Sequence, residues 1–206
     1  MIEQYKPTRP LLLASCSPRR KEILSLMGFE FKTVAPQVGD ELSYLNRDDP
    51  VGSLCSLARA KAESVACRYP HALVLGADTE VIKDRQVFGK PSDKSDAFEM
   101  LRKLSGTEHL VVSAVALVCE EINFSVSCAV KTDVFFRQLT DSEICSYLAL
   151  NEYQDKAGGY AIQGKAMLFI EKIAGCFYNV VGLPVAATLD LLKQYTIRKE
   201  SVDVRK

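Results

Sequence analysis

The segment Ala14-Ser15-Cys16-Ser17-Pro18-Arg19-Arg20 gathers two hydroxyls, two guanidinium groups and the opening of a helix within seven residues. A helix start leaves backbone N–H groups unpaired and carries positive partial charge, so it suits an anion. Arg19 and Arg20 fall in that first turn, where the helix dipole disfavours a cation by about 0.3–1 kcal/mol. The placement makes sense if a phosphate lies between the helix and the guanidinium forks, which grip it bidentately. The plain alternative is a pair of solvated arginines beside Glu22.

Asp78 follows the apolar run Ala72 to Ala77 and reads as the C-terminal tip of a strand. Open α/β sheets bind ligands beyond such tips, and a carboxylate there holds a hard cation or orients water. An Asx turn into Thr79 is the plain reading. Asp40 and Glu41 add carboxylates in a polar loop, which by themselves read as solvated. Arg59 and Lys61 stand on one helical segment, turned by about 200° from each other, so a single site takes only one of them. Lys90 sits between Gly89 and Pro91 on a restrained loop, where a cation can approach a ligand.

Asp155 to Gly164 combines charge, three glycines, Tyr160 and Gln163. The glycines allow close backbone approach, while a ring and an amide can stack on and hydrogen-bond a base. The segment lacks the G-x-x-x-x-G-K-[ST] spacing of a P-loop. His71 and His109 are the only histidines and read as structural, which leaves no Ser–His or Cys–His pair and no histidine-based metal site.

Positioning these groups requires alternating elements. Leu11 to Ser15 predicts a strand, followed by a helix with Ser17 as N-cap, Pro18 at its first position and Gly28 as its stop. Phe29 to Val34 predicts a second strand and Asp40 to Pro50 a loop. Val51, Leu54, Ala58, Ala62, Val65 and Tyr69 recur at helical spacing. Ala72 to Ala77 predicts a buried strand, and Ser95 a helix cap. Leu110 to Cys119 and Phe124 to Phe136 predict a long hairpin, the second strand alternating with period two. Thr140 with Glu143 forms a capping box for a helix to about Leu150. Residues 151–164 read as loop, Met167 to Ile173 as a strand and Leu183 to Tyr195 as the last helix. The order implies an α/β class with a mixed twisted sheet and flanking helices.

Apolar residues at 48% and charged residues at 25% are those of a globular chain, which disfavours disorder and membrane residence. Twenty-six basic residues balance 26 acidic ones, so bulk charge gives no drive toward nucleic acid. No targeting segment is legible, Leu11–Ala14 being too short for a signal core. Leu110 to Cys119 is about half a membrane span. Seven cysteines without Cys-x-x-Cys spacing suggest reduced thiols of the cytoplasm. The chain is expected to divide into a lead-in over 1–10, a single domain over 11–196 and a tail over 197–206.

The motifs also occur in a familiar order. ASCSPRR, the Asp40–Glu41 pair, LARAKA at Leu57–Ala62, GADT at Gly76–Thr79, GKP at Gly89–Pro91, DKAGGYAIQG and Asn179-Val180-Val181-Gly182-Leu183-Pro184 together closely resemble the Maf family of nucleoside triphosphate pyrophosphatases. The resemblance covers roughly Leu11 to Lys193. It implies an ITPase-like fold of two lobes around a cleft, a homodimer, and metal-dependent cleavage of a nucleoside triphosphate to monophosphate and pyrophosphate. Carried onto matching positions, Ser15, Arg19, Arg20, Lys61 and Lys90 bind phosphates, with Lys61 also counted as catalytic. Asp78 and Glu41 serve Mg²⁺ or Mn²⁺ and the attacking water, and Gln163 lies in the nucleotide pocket. DKAG with IQG resembles the dTTP/UTP branch. A nucleotide-binding regulator of cell division that needs no turnover is the alternative. Four positions depart from the family pattern: Cys16 for a small residue, Gly39 for an apolar residue before the acidic pair, Ser113 for a frequent Thr, and Glu80 for an apolar residue, which adds a charge beside Asp78.

Overall fold

The computed structural model describes residues 6–44, 46 and 48–197. Among these, β1 (Lys6–Pro7) pairs with β9 (Thr196–Ile197) as a separate ribbon. The remaining strands are β2 (Leu11–Ala14), β3 (Lys32–Val34), β4 (Leu73–Lys83), β5 (Gln86–Phe88), β6 (Glu108–Cys119), β7 (Phe124–Phe136) and β8 (Ile170–Ala174). They form one mixed sheet in the order β3-β2-β4-β6-β7-β8, with β5 on β4. The pairs of β2 with β3 and β4 are parallel and the others antiparallel. The helices are α1 (Pro18–Leu26), α2 (Pro50–Ala66), α3 (Lys94–Leu104), α4 (Asp141–Leu148), α5 (Phe177–Val181) and α6 (Val185–Lys193). This is the mixed α/β architecture expected from the element order.

The hairpin strand Phe124–Phe136 and the Thr140–Glu143 capping box stand as the sequence predicts. Ser17 is the N-cap of α1 with Pro18 in its first turn, as predicted, although its side chain makes no cap bond; its own N–H donates to Ser15 Oγ at 3.1 Å. Other expectations are corrected. Asp93, not Ser95, caps α3, since its carboxylate accepts from the Asp96 N–H at 2.8 Å. The strand over 29–34 shrinks to Lys32–Val34, and the 40–50 loop holds a short 3-10 turn at Glu41–Tyr44. Lys165–Phe169 is a 3-10 turn that precedes β8, so the strand predicted from Met167 starts later. The last helix is preceded by α5, and Gly182 at φ 123° makes the break between α5 and α6.

Asp78 is not at a strand tip. It lies inside β4, two residues beyond Gly76, the last residue that β2 pairs with. The antiparallel partner β6 carries β4 onward and pairs Asp78 with Ala114. The chain of β2 leaves the sheet at Ala14 to start α1, so β4 loses its neighbour on that side just where its sequence turns polar.

The core explains the rest. On the α2 face of the sheet, one apolar cluster joins Ala62 and Val65 to Val74, and another joins Leu54 and Ala58 to Ile82 and Val112. On the opposite face, one cluster joins Ile23 and Leu24 to Leu75 and Ala77, and another joins Leu101 and Leu104 to Val81 and Val111. Both ends of β4 are thus anchored by burial, at roughly 1.5–3 kcal/mol for each large side chain. Between the clusters, Asp78, Thr79 and Glu80 are held in a strand whose own ends stabilise it.

Candidate active site

Gly76 sets the approach of α2 to the sheet. A Cβ on Gly76 would lie 2.2 Å from the Ala58 carbonyl oxygen, so only glycine lets the helix sit this close. Lys61, one turn along α2 from Ala58 and 8% exposed, then reaches β4. Its Nζ stands 2.9 Å from Asp78 Oδ1 and 2.9 Å from Glu41 Oε1. Arg59 takes the other edge of the helix and donates to Ser127 Oγ. The rotation between the two residues decides which of them enters the site.

Arg20 crosses the gap left by β2. Its Nε donates to the Gly182 carbonyl at 2.9 Å, and its terminal nitrogens to the Ala77 carbonyl at 2.8 Å and Thr79 Oγ1 at 3.1 Å. Ser15 Oγ lies 3.5 Å from it and Asp78 Oδ1 3.8 Å. Arg19 donates through Nε to the Val181 carbonyl at 3.3 Å. Among the described residues it makes no other side-chain hydrogen bond, so its two terminal nitrogens are the ones free to fork an anion. Burial lowers the pKa of both arginines. The Arg20 charge adds to that effect on Arg19, while Asp78 and Glu41 oppose it on Arg20.

Ser15, Arg19, Arg20, Lys61, Glu41 and Asp78 therefore lie in one continuous constellation. Lys90 and Gln163 are exposed and are not joined to it by a hydrogen bond or ion pair among the described residues. The Lys90 loop is nevertheless tethered, because the Gly158 N–H donates to the Gly89 carbonyl at 3.0 Å. Gly158 stands at φ 68° and faces Val81. Lys156, which the sequence reading left without a role, sits in this cationic neighbourhood. Burial lowers its pKa, and the charges of Arg19 and Lys90 lower it further.

Three other groups escaped the sequence reading. Thr79, Ser113 and Asn179 line the face of the sheet opposite Lys61, with Thr79 Oγ1 and Ser113 Oγ 2.7 Å apart. They come from three distant segments: the GADT and NVVGLP motifs contain Thr79 and Asn179, Ser113 stands out only as a departure from the family pattern, and nothing local joins the three. Glu80, on the Lys61 side, is 9% exposed and its Oε2 has no hydrogen-bond partner. Burial first, and the Asp78 charge second, push its carboxyl up to about 7, against the pull of Lys61. His109 is structural, as read: its Nε2 bonds Tyr160 Oη at 2.7 Å beside Phe136, and burial lowers it to about 4.

For a divalent cation, the donor set fits a hard ion. Asp78 and Glu41 offer carboxylate oxygens converging on one positive charge, that of Lys61. No set of three His, Cys, Asp or Glu residues among the described residues forms a cage. Two carboxylates completed by water and ligand oxygens suit an ion such as Mg²⁺.

A family model described as Maf-like protein matches residues 10–195. The chain belongs to the Maf family. Among curated relatives, this Maf chain is 40% identical over 193 residues to a dTTP/UTP pyrophosphatase of Desulfotalea psychrophila, covering 94% of this chain and 98% of that protein. It is 45% identical over 184 residues to a dTTP/UTP pyrophosphatase of Geotalea uraniireducens, covering 89% and 94%. Among solved structures it is similar to a HAM1 protein from Coxiella burnetii, 13% identical, with a TM-score of 0.45 and coverage of 91% and 98%. No described helix of this Maf protein is long and apolar enough to cross a membrane.

Proposed function

We propose that this Maf protein hydrolyses dTTP and UTP to the monophosphate and pyrophosphate, with residues 11–196 as its catalytic domain. One observation carries the reading: a cation, Lys61, bridges two carboxylates at 2.9 Å each, beside a pair of arginines anchored at the β2–α1 junction. That arrangement sets fixed positive charge beside acceptor oxygens, as a polyphosphate with its cation needs, and the relatives that the chain resembles carry the dTTP/UTP pyrophosphatase name.

In this reading, water attacks the α-phosphorus. The bond from that phosphorus to the oxygen bridging to the β-phosphate breaks, and pyrophosphate leaves with the electron pair. Asp78 accepts the proton of the water or holds its oxygen in line. Lys61 holds Asp78 in place through their 2.9 Å contact. Arg19, Lys90 and Lys156 neutralise charge that moves toward the leaving pyrophosphate, and Ser15 with the first N–H groups of α1 fixes the phosphate chain. Asp78 and Glu41 would hold Mg²⁺ or Mn²⁺, which when bound supplies charge neutralisation and a more acidic water. Positioning of this kind supplies much of the catalysis in phosphoryl transfer. Gln163 reads the uracil-type edge through a paired donor and acceptor. A cytoplasmic homodimer completes the proposal, and light scattering of the purified protein tests the dimer.

Purified protein with Mg²⁺ and a panel of triphosphates tests the chemistry. Pyrophosphate and monophosphate must appear, fastest from dTTP and UTP, and in H₂¹⁸O the label must enter the monophosphate. Orthophosphate with diphosphate would replace this reading by a terminal phosphatase. Binding of dTTP without any product would favour the nucleotide-sensing alternative. Arg20→Ala should raise KM and lower kcat, since it removes both a charge and the group that ties Gly182 to β4.

A further inference from the structure

Asn179 belongs to the NVVGLP motif, which the reading above leaves without a task. It is 0% exposed, although it lies in the five-residue helix α5. Its Oδ1 accepts from the Ser113 N–H at 3.0 Å, and its Nδ2 donates to the Val111 carbonyl at 3.0 Å and to Thr132 Oγ1 at 2.9 Å. One carboxamide therefore stitches α5 to both β6 and β7. Its own main-chain carbonyl accepts from Ser113 Oγ at 2.8 Å and from the Gly182 N–H at 3.0 Å.

The proton directions in this network follow from its one guanidinium donor and its carbonyl acceptors, the Gly182 carbonyl at 3.4 Å being the longer alternative for the Thr79 proton. Arg20 can only donate, so Thr79 Oγ1 accepts from it. Ser113 Oγ spends its proton on the Asn179 carbonyl, so at 2.7 Å it must accept from Thr79. A single line of bonds thus runs from the Arg20 guanidinium through Thr79 and Ser113 to Asn179. A second line returns from α5: the carbonyls of Val181 and Gly182, two and three residues after Asn179, accept from Arg19 and Arg20. Arg20 is thus held from both sides and Arg19 through the Val181 carbonyl alone, and the buried carboxamide of Asn179 fixes the segment that supplies these contacts.

We propose that Asn179 is a positioning residue that holds Arg19 and Arg20 in the orientation that receives the phosphates. It touches no substrate. It acts by fixing the two carbonyls that aim the guanidinium groups and the hydroxyl line that holds Arg20 to β4. The proposal rests on the reading that these arginines bind phosphate, and the test separates the two.

Magnesium pyrophosphate is titrated calorimetrically into the wild-type chain, Asn179→Ala, the double variant Arg19→Ala/Arg20→Ala, and the triple combination, with near-ultraviolet circular dichroism to follow the fold. Asn179→Ala is expected to weaken pyrophosphate about 10-fold, and by less than about 2-fold when both arginines are already alanine, because interacting residues are non-additive. An equal loss in both backgrounds means a general structural role and overturns the proposal. So does an unchanged affinity in Asn179→Ala where the double arginine variant is weakened. Unchanged affinity in the double variant overturns the phosphate reading itself. Should Asn179→Ala not fold, Ser113→Ala decides. It is expected to weaken pyrophosphate about 3-fold, with Ser113→Thr restoring wild-type affinity by keeping the hydroxyl, and a loss that Thr does not restore overturns the proposal.

Discussion

Consecutive residues of β4 face opposite ways, and the two faces handle buried polarity differently. Asp78 and Glu80 turn toward α2, where Lys61 is the cation between Asp78 and Glu41. Thr79 turns toward α5, where hydroxyls, an amide and backbone carbonyls satisfy one another and bring in a charge only at Arg20. The first face is under-satisfied, with an orphaned carboxylate oxygen on Glu80. The second is closed, since Ser113, Thr132 and Asn179 are all at most 1% exposed and all hydrogen-bonded. A closed polar network makes a rigid support, whereas an open one retains groups able to exchange partners. The difference assigns chemistry to the α2 face and positioning to the α5 face.

The comparison breaks most sharply at Asp78. Asp78→Ala should lower turnover by on the order of 10²-fold or more, about 2.7 kcal/mol of barrier, in a pyrophosphate-release assay. Retained turnover on every triphosphate would move the chemistry off the α2 face. Lys61→Met comes next. It leaves Asp78 and Glu41 without their shared cation and should destabilise the fold by about 2 kcal/mol in urea, below the range for fully buried pairs because Glu41 is exposed. A neutral result would mean that the two carboxylates do not need the lysine.

Glu80 gives the pH signature. Its carboxyl titrates near 7 in the folded chain against about 4.5 unfolded, so between those values the native state binds the extra proton. Stability from this group is therefore full below about pH 4.5 and is lost as pH rises toward 7 and above. Glu80→Gln should abolish that decline and be the more stable protein at pH 8, by about 1–2 kcal/mol in paired urea titrations. Equal slopes in the two proteins would show that Glu80 is not the group responsible. The smallest expected effect is on the closed face. Thr79→Val interrupts the hydroxyl line and should cost about 1 kcal/mol of stability, with no change in pH slope. A changed slope would mean that the two faces are coupled through Arg20, which reaches both Thr79 and Asp78.

Much of the site was legible because local chemistry wrote it. The strand-to-helix junction at Ser15–Arg20 announces itself through Pro18 and the arginine pair, and the helical period of α2 separates Lys61 from Arg59. The Thr140–Glu143 box is a contiguous signal of the same kind. Asp78 was found for its type but misplaced at a strand end, because the apolar run stops there. The run stops because the neighbour β2 ends, while β6 continues the strand. Ser95 reads as the cap of α3, yet Asp93, two residues earlier and of an equally capable type, makes the bond, and only backbone geometry distinguishes them. Glu80 was noticed as a departure, but its lack of a partner is a property of its surroundings.

The sequence by itself determined the alternation of helices and strands, the cationic and hydroxyl residue types gathered at the β2–α1 junction and the family to which those motifs belong, since each depends on residue type and short-range spacing. Only the tertiary structure decided that Thr79, Ser113 and Asn179 form one line of bonds, and that Lys61 rather than Arg59 meets the carboxylates. Those contacts join positions 34 and 66 residues apart for the hydroxyl line, and 17 for Lys61 and Asp78. They follow from sheet register and from the closeness with which α2 approaches Gly76, and neither is encoded in any local stretch of chain.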